Sequence, residues 1–251
     1  MYACLIIFAV DQVSVAAFYR FVSLPNFADL RAPLLAAGHE LELRGSVLLA
    51  SEGVNGMASG SRSALEAFLE KLGKLGHCPP LDPKWSTCDR HPFARWKVRL
   101  KKEIVAMKAV EVDLTSYIGT YATAAEWNAL LDDPGVTVVD VRNSFEVEFG
   151  TFPGSVDPGT RGFREFASFA HEQLPDKSQP IAMFCTGGIR CEKAAAYLAA
   201  KGYTDITQLK DGILGYLEHV EQAENRWRGS CFVFDERIAL NADLKPAEPE
   251  P

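Results

Sequence analysis

The amino-acid sequence predicts an α/β protein in two parts: a ferredoxin-like α+β unit, followed by a doubly wound unit built on a parallel sheet. Three observations predict it. The 251 residues suffice for about 1.7 domains at roughly 150 residues each. Up to about residue 105 the pattern runs strand–helix–strand–helix–strand, the order of a split βαβ sandwich. From about residue 120, short apolar β-branched runs alternate with helical patterns, which suits central strands covered by helices on both faces.

The elements of the first part follow in order. Ala3–Val10 is an apolar run expected to be a buried first strand. Val13–Val22 shows helical spacing, with Ala17, Phe18 and Phe21 on one face. Leu30–Ala37 is a second helical stretch, with Pro33 near its start. Gly45–Ala50 is a strand rich in Val and Leu, followed by a turn over Ser51–Gly56 with two glycines and an Asn-Gly pair. Ser61–Leu75 is a helix that Ser61 or Ser63 can cap, and Leu65, Phe68, Leu69 and Leu72 form its apolar stripe. Trp96–Val105 alternates Val98, Leu100 and Ile104 with charged neighbours, as a half-exposed strand does.

A boundary is expected near residues 110–122, where Asp113–Ser116 breaks the pattern. A helix starts at Thr123, whose spacing to Glu126 matches a capping box. Val136–Val141, Pro180–Phe184 and Ile206–Leu209 are expected strands. Cys191–Lys201, stopped by Gly202, and Gly212–Ala223 are expected helices. The tail from Asn241 is rich in Pro and Glu and is expected to fray. No internal repeat is evident.

Composition excludes several classes of function. With 47% hydrophobic and 24% charged residues the chain is neither disordered nor fibrous. The longest apolar stretch, Met1–Val10, is half of the roughly 20 residues a membrane span needs, and it lacks the flanks of a signal peptide. A net charge of −7 argues against indiscriminate coating of nucleic acid, so no DNA partner is expected. None of the six cysteines forms a C-x-x-C pair, so a reducing cytoplasm is the expected compartment. The five histidines show no ligand spacing, and no metal site is assigned. Gly53-x-x-Gly56 is too short for a dinucleotide fingerprint, and no cofactor motif is evident.

The stretch that carries chemistry is Cys185-Thr-Gly-Gly-Ile-Arg190, between a buried strand and a helix. Ligands of open α/β sheets bind beyond the strand ends, where Cys185 falls. Gly187 and Gly188 allow a curl that aims several N–H groups at one point, and the following helix and Arg190 add positive charge. Together these favour a reactive Cys185 thiolate and a cradle for an anion beside it, with Thr186 and Ile189 completing the loop. Cys191, in the first helical turn, is either a packing residue or a resolving thiol for an oxidised Cys185.

Val139-Asp-Val-Arg-Asn143, Gly150-Thr-Phe-Pro-Gly154 and the Cys185–Arg190 loop resemble the ordered motifs of the rhodanese domain. Four residues separate Cys185 from Arg190, as in the sulfurtransferase loop; the related dual-specificity phosphatases carry one more. The resemblance implies that Cys185 is the catalytic cysteine and that Asp140 and Arg142 have structural or site-framing roles. A local salt bridge bracing the strand end is the plainer account of that pair.

Four further stretches narrow the resemblance: Arg44–Gly56, Lys97–Val105, Cys185–Lys193 and Cys231–Arg237 together resemble the tRNA uridine-34 hydroxylase family over about residues 3–241. The resemblance implies oxygen-dependent conversion of the wobble uridine to 5-hydroxyuridine, with molecular oxygen as co-substrate and the tRNA anticodon stem-loop as partner. It implies three segments: 1–115, ferredoxin-like (acylphosphatase-like) and a candidate for tRNA binding; 120–225, the rhodanese domain; and 226–251, a C-terminal extension. Some family members continue into a cysteine-rich segment; this chain has none, so no zinc-binding tail is expected.

The residues themselves add support for RNA. Between Lys84 and Lys108 eight basic side chains face two acids, against the overall charge of −7. On a strand Lys97, Arg99 and Lys101 share one face, and with Arg95 and Lys102 they can track a phosphate backbone. Phe93 and Trp96 are candidates to stack on an unpaired base. Two other functions are open at this point: a sulfurtransferase carrying a persulfide on Cys185, and a binding module with an idle rhodanese domain.

Overall fold

The computed structural model describes residues 12–108, 114 and 119–247; the expected strand Ala3–Val10 lies outside them, as does much of the expected boundary near 110–122. The described elements begin with β1 (Val13–Phe21), α1 (Arg31–Glu40), β2 (Arg44–Ala50), β3 (Gly53–Gly60), α2 (Arg62–Gly76), β4 (Lys84–Cys88) and β5 (Trp96–Leu100). Their sheet has the order β4-β1-β3-β2-β5, antiparallel except for the parallel pair β2–β5. Its first four strands are two split βαβ units interleaved, the ferredoxin-like arrangement.

Side-chain alternation divides this sheet into two faces. Ala16 and Phe18, Val47 and Leu49, Val54 and Ala58, and Trp96 and Val98 face α1 and α2 and form the core with Leu65, Phe68 and Leu72. Ser61 caps α2, its hydroxyl accepting the Ala64 N–H at 3.2 Å. The opposite face carries no helix. It presents Ala17, Tyr19, Phe21, Ser46, Leu48, Asn55 and Met57 to the second half of the molecule.

Three expectations need correction here. Val13–Phe21 is a strand, not a helix: its β-branched and aromatic residues suit a strand covered on both faces, which blurs the period of two. The turn is confined to Ser51 and Glu52, and Gly53 already starts β3. The glycine of the Asn55-Gly56 pair serves packing, because a Cβ at Gly56 would lie 2.7 Å from the Phe18 ring. The strand from Trp96 stops at Leu100, and Ile104 and Met107 cross over to pack in the interior. Strand β4 was not expected.

The second half continues with β6 (Thr120–Ala122), α3 (Ala124–Asp132), β7 (Thr137–Asp140), α4 (Ser144–Val147), β8 (Gly150–Thr151), α5 (Phe166–Gln173), β9 (Ile181–Phe184), α6 (Ile189–Ala200), β10 (Ile206–Leu209) and α7 (Gly212–His219). Strands β6-β10-β9-β7 form an all-parallel sheet. Val139, Ile181 and Met183 face α5 and α6, while Val138, Ala182 and Phe184 face α3 and α7, so helices cover both faces. The capping box of α3 is present: the Glu126 carboxylate accepts the Thr123 N–H at 2.8 Å.

Three short strands, β11 (Arg228–Gly229), β12 (Cys231–Phe232) and β13 (Ala239–Leu240), form small pairs at the C-terminal side. Arg237 ties this segment to the first sheet, donating to the Ser86 hydroxyl at 2.7 Å. Residues 241–247, the described part of the tail, carry hydrogen bonds. The Asn241 side chain accepts the Asp243 and Lys245 N–H groups, and the Ala247 N–H returns to Ala239 O at 2.9 Å.

Candidate active site

Strand β9 ends at Phe184, and the next residue, Cys185, is held by backbone on two sides. Gly188 adopts φ +95° and turns its N–H onto Cys185 Sγ at 3.2 Å. From below, Ile213 N–H donates to Cys185 O at 2.9 Å and Leu214 N–H to Thr186 O at 3.1 Å. These two bonds fix the loop carbonyls outward, so that its N–H groups face the sulfur. Gly212 makes that approach possible: at φ +65°, its absent Cβ would sit 2.5 Å from Cys185 O.

Burial raises the Cys185 thiol, but the Cys191 thiol, the Arg190 charge and the N–H groups of Cys191 and Arg190 outweigh it and bring the pKa to about 6. Cys191 moves the other way, raised by burial and by the Cys185 thiolate it donates to. The expected electropositive cradle is therefore built mainly from backbone, a neighbouring thiol and the start of α6. Cys185 itself is 0% exposed, so the sulfur lies at the closed end of a cavity rather than at its mouth.

Arg190 differs from the expectation of a free positive charge. Its guanidinium donates to both Glu146 oxygens, at 2.6 and 2.7 Å, and to the Thr186 hydroxyl at 3.3 Å. Asp140 and Arg142 form a second buried pair at 2.6 Å, and Arg142 also donates to the carbonyls of Glu146 and Gly150. The two pairs form a net-neutral chain, Asp140–Arg142–Glu146–Arg190, that braces the cysteine loop. Glu146 was missed by sequence reasoning. Its signal was the Asn143-x-x-Glu146 spacing, and its carboxylate does accept the Asn143 N–H at 3.2 Å.

A cavity of about 740 Å³ separates the helix-free face of the first sheet from this loop. Cys185, Thr186, Gly187, Ile189 and Arg190 form its floor, and Tyr19, Asn55 and Met57 belong to its roof. Part-buried ion pairs hold the halves together. Lys193 on α6 reaches Glu52 at 2.9 Å and Glu103 at 2.7 Å, and Lys84 on β4 meets Asp211 at 2.7 Å. Glu192, beside Lys193, turns its carboxyl to the cavity and accepts from Tyr19 at 2.8 Å and Tyr121 at 3.2 Å. Neither Glu192 nor Tyr19 was singled out from sequence; with β1 read as a helix, nothing placed Tyr19 near the loop.

Lys97 and Arg99 lie opposite Ser46 and Leu48, on edge strand β5, and so extend the helix-free face outward from the cavity. Arg95, burial and Arg99 lower the Lys97 pKa, the mark of a cluster of like charges. Among the described residues no carboxylate pairs with Arg95, Lys97, Arg99, Lys101 or Lys102. Lys101 continues the ladder, its N–H meeting Leu49 O at 2.8 Å, and Lys102 follows it in exposed chain. Phe93 lines the cavity. Trp96 does not: it is buried on the helix side, edge-on to Phe68, in the space left by Gly38, whose Cβ would fall 2.1 Å from the indole.

Among the described residues no group of three or more His, Cys, Asp or Glu side chains is placed to hold a metal ion, and no helix is long and apolar enough to cross a membrane.

Fold and site together define a rhodanese-like domain joined to an acylphosphatase-like one: residues 123–219 match the rhodanese-like domain family, and residues 13–104 match the UPF0176 acylphosphatase like domain. The chain is 53% identical over 236 residues, covering 92% of each chain, to the tRNA uridine(34) hydroxylase of Bradyrhizobium diazoefficiens. It belongs to the tRNA uridine(34) hydroxylase family. Among solved structures, a rhodanese-like domain from Anabaena sp. is 19% identical over 45% of this chain and 80% of its own, with a TM-score of 0.37. A rhodanese-like domain protein from Staphylococcus aureus is 26% identical over 39% and 90%, with a TM-score of 0.33.

Proposed function

We propose that this protein hydroxylates C5 of uridine 34 in tRNA, with Cys185 as nucleophile and molecular oxygen as co-substrate. The observation that carries the reading is the Cys185 sulfur, its pKa drawn down to about 6, at the closed end of a 740 Å³ cavity between the two halves of the molecule. That volume is within the ordinary range for a small-molecule site and admits one extruded nucleotide.

The anticodon stem-loop lies along the helix-free face, with Arg95, Lys97, Arg99, Lys101 and Lys102 on its phosphates and Phe93 at the cavity wall. Wobble uracil enters the cavity. The Cys185 thiolate adds to C6, which makes C5 electron-rich. C5 is then oxidised by oxygen: one oxygen atom stays on C5, the other leaves as water, and two external thiols, joined as a disulfide, supply the two electrons and two protons. Loss of the C5 hydrogen and departure of the sulfur restore the C5–C6 double bond. Arg190, Asp140 and Arg142 act by holding the loop, and Cys191 donates to the thiolate. Cytoplasm, with its reduced thiols, is the assigned compartment.

Nucleoside mass spectrometry of tRNA tests the reading. A strain lacking the gene regains 5-hydroxyuridine with the intact protein and not with Cys185→Ser. Restoration by Cys185→Ser overturns it, as does thiocyanate production from thiosulfate and cyanide by a protein that yields no hydroxylated tRNA.

A further inference from the structure

Among the described residues, Glu192 is the one acid lining the cavity that forms no salt bridge. The cavity acids Asp82 and Asp211 both face Lys84, at 3.6 and 2.7 Å. Around the site Glu146 is held by Arg190, and Glu52 and Glu103 by Lys193. Glu192 instead meets two neutral hydroxyls, Tyr19 from β1 and Tyr121 from β6, both on Oε1. Among the described residues no hydrogen bond reaches Oε2, and the carboxyl lines the same cavity as Cys185.

We propose that Glu192 is the general acid that protonates the uracil ring as Cys185 adds to it, with Tyr19 and Tyr121 as positioning residues. This rests on the reading that Cys185 attacks a uracil. The thiolate pair forms the S–C6 bond, the C5–C6 π pair moves into the C4–C5 bond and the C4 carbonyl pair onto O4, and the Glu192 proton passes to O4, leaving an enol whose C5 stays electron-rich. Nothing is oxidised or reduced. The negative charge moves from the sulfur to the Glu192 carboxylate, where the tyrosine hydroxyls receive it. In reverse, the carboxylate takes the proton back as the sulfur leaves with its pair.

The environment of Glu192 favours the protonated starting form. Burial raises its pKa and the Cys185 thiolate adds to the rise, against the Tyr19 and Tyr121 hydrogen bonds and the charge of Arg20 on β1. On its own helix Arg190 is engaged by Glu146, and Lys193 by Glu52 and Glu103. A thiol whose pKa is lowered and a carboxyl whose pKa is raised, in one cavity, have the arrangement of an acid–nucleophile pair.

An anticodon stem-loop carrying 5-fluorouridine at position 34 tests this without oxygen, because the fluorine makes C6 more electrophilic and, with no oxygen to react at C5, the reaction stops at the covalent adduct. For the wild type we expect an adduct on Cys185 whose rate rises through about pH 6 and falls again as Glu192 ionises. Glu192→Gln is expected to slow adduct formation by about 100-fold and to lose the falling limb, while Glu192→Asp keeps the limb. Tyr19→Phe removes a donor to the carboxylate, so its falling limb moves to higher pH. Iodoacetamide labelling of Cys185 and far-UV circular dichroism confirm that each variant is folded with its thiolate intact. An adduct formed by Glu192→Gln at the wild-type rate and pH profile overturns the inference alone. No adduct with the wild type overturns the addition chemistry on which it rests.

Discussion

Glu146→Gln isolates the contribution of the buried charge chain. The substitution keeps the shape and one acceptor oxygen but removes the charge that faces Arg190 through two bonds of 2.6 and 2.7 Å. Removing one partner of a buried pair costs about 3–5 kcal/mol, and the retained acceptor places this variant near the lower end, about 3 kcal/mol. For a chain of this size each kcal/mol lowers Tm by roughly 2–4 °C, so a fall of about 6–12 °C is expected by calorimetry. The second consequence is electrostatic. Arg190 already holds the Cys185 thiolate, and without its counter-charge it holds it more strongly. The midpoint of iodoacetamide labelling of Cys185 therefore moves below the wild-type value of about 6. A Tm within about 2 °C of wild type, together with an unmoved midpoint, would show that the chain Asp140–Arg142–Glu146–Arg190 does not brace the loop.

Gly212→Ala, at φ +65° with its Cβ 2.5 Å from Cys185 O, is expected to displace the loop and to raise the Cys185 labelling midpoint toward that of an ordinary thiol, while circular dichroism stays near wild type. Because the folded Cys185 pKa of about 6 lies below the thiol's ordinary value of 9.0, its ionisation stabilises the fold above pH 9 and that gain is lost as pH falls through 6. Urea titrations of Cys185→Ala are therefore expected to show a flatter rise in stability between pH 6 and 9 than wild type. Charge reversal at Lys97 and Arg99 is expected to weaken binding of an anticodon stem-loop and to reduce the salt dependence of log Kd by about 1–2. A resolving role for Cys191 is tested with peroxide, which converts Cys185 to a sulfenic acid: if the Cys191 sulfur then displaces water from it, mass spectrometry finds a disulfide in wild type but a sulfinic acid in Cys191→Ser, and if Cys191 only packs, both proteins give the sulfinic acid.

The cysteine loop was legible because its determinants are local. Strand end, two glycines and helix start lie within a few residues of Cys185, and the capping box at Thr123 and Glu126 likewise needs only neighbours. The second sheet was legible for a related reason, since the short runs at Thr137–Asp140, Ile181–Phe184 and Ile206–Leu209 are mostly buried on both faces and show no competing period. Long-range contacts were not legible. Tyr19 reaches Glu192 across 173 residues and Lys193 reaches Glu52 across 141, and neither pairing leaves a trace in spacing. Arg190 looked free because its partner Glu146 sits 44 residues away on another element. Trp96 looked exposed because its charged neighbours are visible in the sequence, whereas the room left by Gly38 is not.

The most direct test of the central claim is reconstitution with purified protein, an unmodified tRNA anticodon stem-loop, oxygen and a thiol, followed by mass spectrometry of the digested RNA. One added oxygen, confined to uridine 34, is expected with the intact protein, and none with Cys185→Ser. Hydroxylation that persists without the Cys185 sulfur would contradict it.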